Sequence, residues 1–237
     1  MSVIFLDLDS TLIDVNSSKI WIKQEYSRGN VSLTQLLRAS WMLLRYRFGA
    51  TELESALEAA AGELRGWPER QFRERLLALA DRVIDEHLRP EIMNLCALYR
   101  ARGDSLVLLT SASQILAERV AERLELDAAI GNSFTVDGDG LLSGALEGGL
   151  VFGVEKIKRA EEFLHVTARG APAPLSLREC AFYSDSYSDL PLLEQVGRPR
   201  VVCPDRRLKK VAEEHSWPIL EWGVAGATPL SIDPDIL

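Results

Sequence analysis

The chain has 237 residues, 47% of them hydrophobic, with a formal net charge of −8 and a sequence pI near 5.1. That length and apolar content suffice for a full globular core, in one large domain or two small ones, and exclude a disordered tail. The acidic balance excludes a general affinity for nucleic acid, whose backbone is bound by clustered Lys and Arg, so any anion-binding site must be local.

In chain order, Val3 to Leu6 is a short continuous apolar run that stops at Asp7. Such a run reads as a buried parallel strand delivering a functional residue at its carboxyl end. The opening Met-Ser-Val-Ile-Phe-Leu-Asp lacks the basic and long apolar regions of a secretory signal, which together with the cysteines points to a cytoplasmic protein. The cysteines, Cys96, Cys180 and Cys203, are odd in number and widely spaced, a pattern of free thiols rather than of a disulfide framework or a zinc site.

Residues 15–88 then read as consecutive helices: Ser18 to Tyr26, Leu33 to Phe48, Leu53 to Leu64 and Glu69 to Leu88. Within the second, Leu36 to Phe48 is apolar but carries Arg38, Arg45 and Arg47, and it falls short of the ~20 residues a bilayer span needs. An amphipathic helix remains, with Leu37, Trp41, Leu44 and Phe48 along one stripe. Packing within the helical insert is the preferred reading of that stripe, and a membrane contact or acyl-binding surface is the alternative.

Beyond the insert, three more apolar runs end in polar residues. Leu106 to Leu109 leads into Thr110 and Ser111, Cys180 to Tyr183 into Ser184 and Asp185, and Arg200 to Cys203 into Pro204 and Asp205. Helical patterns at Ile115 to Leu126 and Leu190 to Val196 follow the first two of these runs. Phe134 to Leu142, FTVDGDGLL, carries two Asp-Gly pairs and reads as a hairpin turn in preference to a calcium loop, whose ligand spacing it lacks. Gly170 to Ser176 is a short Pro-rich loop.

Alternating strands and helices predict an α/β fold, a doubly wound parallel sheet built from residues 1–14 and 89–237, with 15–88 as an inserted α-helical domain. Ligands of such sheets sit beyond the carboxyl ends of the strands, which would gather Asp7, Thr110 and Asp185 into one crevice. Two carboxylates two residues apart, Asp7 and Asp9, at the end of an apolar strand would repel one another unless a cation were bound. A turn that caps a following helix explains the same residues without chemistry.

The string DLDST, Asp7 to Thr11, resembles the first signature of the haloacid dehalogenase (HAD) superfamily. That resemblance implies that Asp7 attacks phosphorus to form an aspartyl-phosphate and that Asp9 protonates the leaving group and later activates water. The second signature, an apolar strand ending in Thr or Ser, is matched by LVLLT. The register shared with phosphoserine phosphatases puts the phosphate-binding hydroxyl on Thr110, with Ser111 contributing its backbone amide and standing as the rival for the hydroxyl role. The third, a helical Lys that neutralises phosphate and nucleophile, falls on Lys156 in FGVEK, which is similar to a stretch of subfamily IB, with Lys158 as the rival. The fourth matches Asp185 and Asp189 in YSDSYSDLPLL. The resemblance implies Mg²⁺ held by Asp7, Asp185 and the backbone carbonyl of Asp9, with Asp189 in or just behind the ligand set, and hard oxygen ligands of this kind suit that ion. The four signatures run in family order from Val3 to about Leu193.

The implied activity is a Mg²⁺-dependent phosphatase of a small phosphorylated metabolite, the helical insert acting as a cap. Phosphomonoester hydrolysis asks for up to about 10²¹-fold acceleration, roughly 29 kcal/mol, which no single residue supplies. A lysophospholipid-type phosphate is an alternative substrate, and a phosphotransferase using the same intermediate an alternative reaction. The ungapped register places Asn16 where phosphoserine phosphatases carry a Glu that holds the substrate amine, and an Asn cannot neutralise an ammonium. His87, His165 and His215 lie near no signature.

Overall fold

The computed structural model describes residues 2–31, 61–167 and 175–223. Six of its strands form one sheet: β1 (Val3–Leu6), β2 (Ser105–Ser113), β3 (Ala128–Asn132), β6 (Ala181–Ser184), β7 (Arg198–Val202) and β8 (Ile219–Leu220). Their spatial order is β3-β2-β1-β6-β7-β8, and every neighbouring pair is parallel. From β1 the chain first builds outward through β2 to β3 and later outward on the other side from β6 to β8. The gap between the carboxyl ends of β1 and β6 is therefore the switch point at which ligands bind in open α/β sheets.

Strand periodicity makes the sheet two-sided. In β1, Ile4 and Leu6 enter one apolar cluster while Val3 and Phe5 enter the other, so each face is buried and must be covered. The first cluster is covered by α2 (Glu69–His87), α3 (Glu91–Ala101) and α4 (Gln114–Leu124), the second by α5 (Glu155–Thr167), α6 (Leu190–Leu193) and α7 (Arg206–His215). The doubly wound class expected from the sequence is borne out. Two edge strands, β3 and β8, and the helices α3 and α7 were not anticipated; β2 runs longer than Leu106 to Leu109, and α6 stops at Leu193 short of Val196.

Within 15–88, α1 (Ser17–Ser27) and α2 agree with the expected helices to within one residue at each end. The predicted helix Leu33 to Phe48, with its Leu37, Trp41, Leu44 and Phe48 stripe, lies outside the described residues, as does all of Leu53 to Leu64 before residue 61. The two junctions of this segment run side by side. Ile13 and Leu88 form an antiparallel bridge, the Asp14 amide donates to the His87 carbonyl at 3.0 Å, and the Arg89 amide donates to the Leu12 carbonyl at 3.0 Å. α2 places Phe72, Leu76, Leu79, Ala80, Val83 and Ile84 in the first apolar cluster of the sheet. Its outer edge is stitched to α4 by Asp81, which pairs with Arg119 and Arg123 at 2.9 Å each, and by Asp85 with Arg123 at 2.6 Å.

The FTVDGDGLL stretch forms the expected hairpin, β4 (Phe134–Val136) antiparallel to β5 (Leu142–Leu146). The Asp137 carboxylate accepts the amides of Asp139 and Leu141 at 3.0 Å, so it is spent on the turn, and Gly140 supplies the left-handed residue at φ 77°. All three cysteines are free, Cys96 and Cys180 buried. No helix among the described residues is long and apolar enough to cross a membrane.

Candidate active site

The carboxyl end of β1 hands the chain to a wide turn, Leu8–Leu12. Asp7 is buried there, its amide donating at 3.0 Å to the carbonyl of Tyr183 in β6. Facing it is Lys156 from the first turn of α5, only 1% exposed. The ammonium donates at 2.9 Å to Oδ1 of Asp7 and at 2.9 Å to Oδ2 of Asp189. The rival Lys158 sits on the surface, paired with Glu155. Burial disfavours the charge on Lys156, but Asp189 and Asp7 outweigh it and hold the ammonium protonated above its ordinary value. Burial likewise pushes the Asp7 carboxyl well above the usual range; Lys156 opposes that shift, and the charges of Asp189 and Asp185 add to it.

Asp189 stands at the start of α6, yet its side chain makes no cap bond with that helix. It turns inward instead, where Oδ2 also accepts the Ser184 hydroxyl at 2.6 Å. Asp189 thus belongs to the buried charge cluster.

Asp9 is held differently. Its Oδ1 accepts the Ser17 amide at 2.7 Å and its Oδ2 faces the Asn16 amide nitrogen at 3.4 Å, so the N-terminus of α1 grips the carboxylate. Asn16 also caps α1, accepting the Lys19 amide at 3.1 Å. Burial raises the Asp9 carboxyl above its ordinary value, and the bonds from Ser17 pull against that rise. Between Asp9 and Thr11, Ser10 takes the left-handed conformation at φ 60°, which costs a non-glycine residue roughly 1–2 kcal/mol. Its amide donates to Val15 at 2.9 Å and its carbonyl accepts from Arg89 at 3.1 Å, two bonds that hold the strained turn.

Thr110 and Ser111 lie in β2, beside β1. The Thr110 hydroxyl accepts the Ala112 amide at 3.1 Å, which leaves its proton for an outside acceptor. Neither residue caps α4, whose cap position is Ser113. Asn132, buried at the end of β3 and unanticipated in the sequence, donates to the Ser111 carbonyl at 2.7 Å and accepts the Val151 amide at 2.8 Å. It fixes the Ser111 peptide and draws the segment leading to Lys156 toward β2. Only its position two residues before the hairpin strand marks it in the sequence.

Asp185 follows β6 and takes a 3.3 Å hydrogen bond from the Thr11 hydroxyl. Burial, and next the charge of Asp189, push its carboxyl up to about 7. Among the described residues no three His, Cys, Asp or Glu side chains cluster tightly enough to cage a metal unaided. The charge balance nevertheless fits a hard divalent cation. Among the described residues the Lys156 ammonium bonds Asp7 and Asp189 and makes no hydrogen bond to Asp185, and Mg²⁺ characteristically takes one or two carboxylates and keeps its waters.

Residues 4–194 match the family model for haloacid dehalogenase-like hydrolases. The chain belongs to this family. Among relatives of the HAD chain, a Streptomyces azureus protein named inhibition of morphological differentiation protein is 28% identical over 92% of this chain and 77% of its own. A Mycobacterium tuberculosis protein named phosphoserine phosphatase is 27% identical over 93% of this chain and 71% of its own, and a Neisseria meningitidis histidinol-phosphatase 27% over 91% and 96%. Family and relatives agree with the HAD-type phosphatase read from the sequence. The fold is shared with a Bordetella pertussis protein of unknown function, at TM-score 0.75 and 24% identity over 93% of this chain and 98% of that one. It is shared also with a phosphoserine phosphatase solved as a phospho-aspartyl intermediate analogue, at TM-score 0.62 and 19% identity over 92% and 91%.

Proposed function

We propose that this HAD hydrolase cleaves the phosphomonoester of a small metabolite through an aspartyl-phosphate on Asp7, with Mg²⁺ as its metal. The observation that carries this reading is the buried Lys156 ammonium bonded at once to Asp7 and Asp189 at the switch point of the sheet. Asp7 is the nucleophile: its Oδ attacks phosphorus while the bond to the leaving oxygen breaks. Asp9 gives its proton to that oxygen, a role suited to a carboxyl raised by burial. Asp9 then takes a proton from the water that attacks the aspartyl-phosphate, which releases phosphate and restores Asp7. The Thr110 hydroxyl, the Ser111 amide and the Lys156 ammonium serve the phosphoryl oxygens. Asp7, Asp185 and the Asp9 carbonyl would hold Mg²⁺, with Asp189 beside them, and the ion supplies positive charge to the phosphoryl group when bound.

We assign residues 15–88 to a cap, on the support of the paired junctions at Ile13 and Leu88. Within that segment α2 is fastened to the sheet and, through Asp81 and Asp85, to α4. The Asn16 amide is engaged with Asp9 and Lys19 and carries no charge, so an amine on the substrate would need its counter-charge from another residue.

The test is phosphate release from a panel containing phosphoserine, histidinol phosphate and a lysophosphatidate, with and without Mg²⁺, beside Asp7→Asn. Release that requires Mg²⁺ and falls by about 10⁴-fold or more in the mutant is expected. Release that survives in the mutant would remove Asp7 from its role. A phosphorylated acceptor in place of free phosphate would make the enzyme a transferase.

A further inference from the structure

We infer that Arg89 is a positioning residue that sets Asp9 for proton transfer to the leaving group. The inference rests on the reading of Asp9 as general acid.

Arg89 is the first residue after the helical insert, and it spans three pieces of backbone. Its own amide donates to the Leu12 carbonyl at 3.0 Å, Nη2 to the Ser10 carbonyl at 3.1 Å, and Nη1 to the Trp222 carbonyl at 2.9 Å. Ser10 is the left-handed residue next to Asp9, and the peptide that follows Ser10 is oriented by the guanidinium. Trp222 is 1% exposed and stacks on Tyr183, ring centroids 5.8 Å apart. The Tyr183 carbonyl in turn receives the Asp7 amide. One planar fork thus ties the turn bearing Asp9 to Trp222, whose ring stacks on the residue that fixes Asp7, a geometry a guanidinium provides and a single ammonium does not.

The carboxylate of Asp9 is meanwhile gripped from the other junction by Ser17 and Asn16. With the fork removed, the Ser10 peptide loses a charge-assisted partner, the left-handed turn is free to relax, and Asp9 is carried with it. Misplacement of a catalytic group by such a shift lowers rate without lowering affinity for the substrate. The backbone bond from Arg89 to Leu12 survives any side-chain change, so the junction itself is retained.

The experiment compares kcat/KM for p-nitrophenyl phosphate, whose leaving group departs without a proton, with kcat/KM for the best alkyl phosphate of the panel, whose alkoxide needs one. Arg89→Met is expected to lower the alkyl value about 10–100-fold and the p-nitrophenyl value only a few-fold, within the range of general acid catalysis. Arg89→Lys should fall between, because it restores one of the two side-chain bonds. Asp9→Asn is the control and should show the same selectivity with a larger amplitude. Equal losses on both esters in Arg89→Met, or no loss, would overturn the inference while the control stands. Lack of selectivity in Asp9→Asn would overturn instead the reading of Asp9. Should Arg89→Met fail to fold, Arg89→Lys decides by the same ratio.

Discussion

Asp7 and Asp9 are two residues apart, yet they are held by different halves of the molecule. Asp7 is fixed by the sheet, through the Tyr183 carbonyl and the Lys156 ammonium. Asp9 is fixed by the two junctions of the helical insert, its carboxylate by Ser17 and Asn16 and its turn by Arg89. In the proposed reaction the nucleophile would be held by strands and the acid by the junctions of the proposed cap, so attack geometry would belong to the core and proton delivery would answer to the insert.

After loss of Asp7 itself, breaking the Asp9 side should have the largest effect. Asp9→Asn is expected to cost about 10²–10⁴-fold in turnover of an alkyl phosphate while binding of inorganic phosphate persists, as read by steady-state kinetics and competitive inhibition. A loss of phosphate binding in that variant would mean the two carboxylates are not separable.

Breaking the Asp7 side at its counter-ion should show first in stability. Lys156→Met leaves Asp7 and Asp189 buried without their shared ammonium, and removal of one partner of a buried pair costs roughly 3–5 kcal/mol. Denaturant unfolding should record that loss, reduced at acid pH where the raised Asp7 carboxyl takes up its proton. An unchanged midpoint at neutral pH would deny that the pair is charged.

The core side should also respond to pH. Asp185 keeps its proton up to about 7 in the fold, because of burial and then of Asp189, whereas in the unfolded chain it releases it near ~4. Between these values the metal-free native state holds more protons than the unfolded one, so its stability falls as pH rises through that window. The proposed Mg²⁺ site would take the ionised carboxylate, so the stabilising effect of Mg²⁺ should grow with pH over the same window. Thermal unfolding with Mg²⁺ and with a chelator, at about pH 5 and about pH 8, tests the sign; a metal effect larger at the acid end would contradict it.

The smallest change sharpens the Asp9 side. Asn16→Ala removes the cap of α1, worth ~1 kcal/mol, and one of the two groups on the Asp9 carboxylate. A few-fold drop in kcat at steady KM is expected, and a rise in KM alone would place Asn16 on the substrate instead.

How far the sequence spoke depended on how local the signal was. β1, β2, β6 and β7 are legible because each is an apolar run closed by polar residues, and α1 and α2 because their apolar spacing is helical. β3, Ala-Ala-Ile-Gly-Asn, has a single strong strand former, and β8 is two residues long, so neither stands out without the neighbours it pairs with. α7 buries only Leu208 and Ala212 under a charged surface. α3 carries a helical signal in Ile92, Leu95, Cys96 and Tyr99, whose spacing lines one face.

The site divides the same way. Asp7, Asp9, Asp185, Asp189 and Lys156 sit in motifs, and the fold brings Asp7, Lys156 and Asp189 into direct contact. Arg89 and Asn132 each bond two backbone groups distant in the chain and Ser17 acts through its own amide, and no spacing rule announces such contacts.

The central claim is covalent chemistry on Asp7, and the most direct measurement is a rapid acid quench during turnover followed by mass spectrometry of the peptide that contains it. A phosphoryl group on Asp7, absent from Asp7→Asn and, with p-nitrophenyl phosphate as substrate, more abundant in Asp9→Asn, where water is no longer activated, is the predicted result. A phosphoryl group on Ser10, Thr11 or Thr110 instead, or undiminished turnover by Asp7→Asn, would contradict the account.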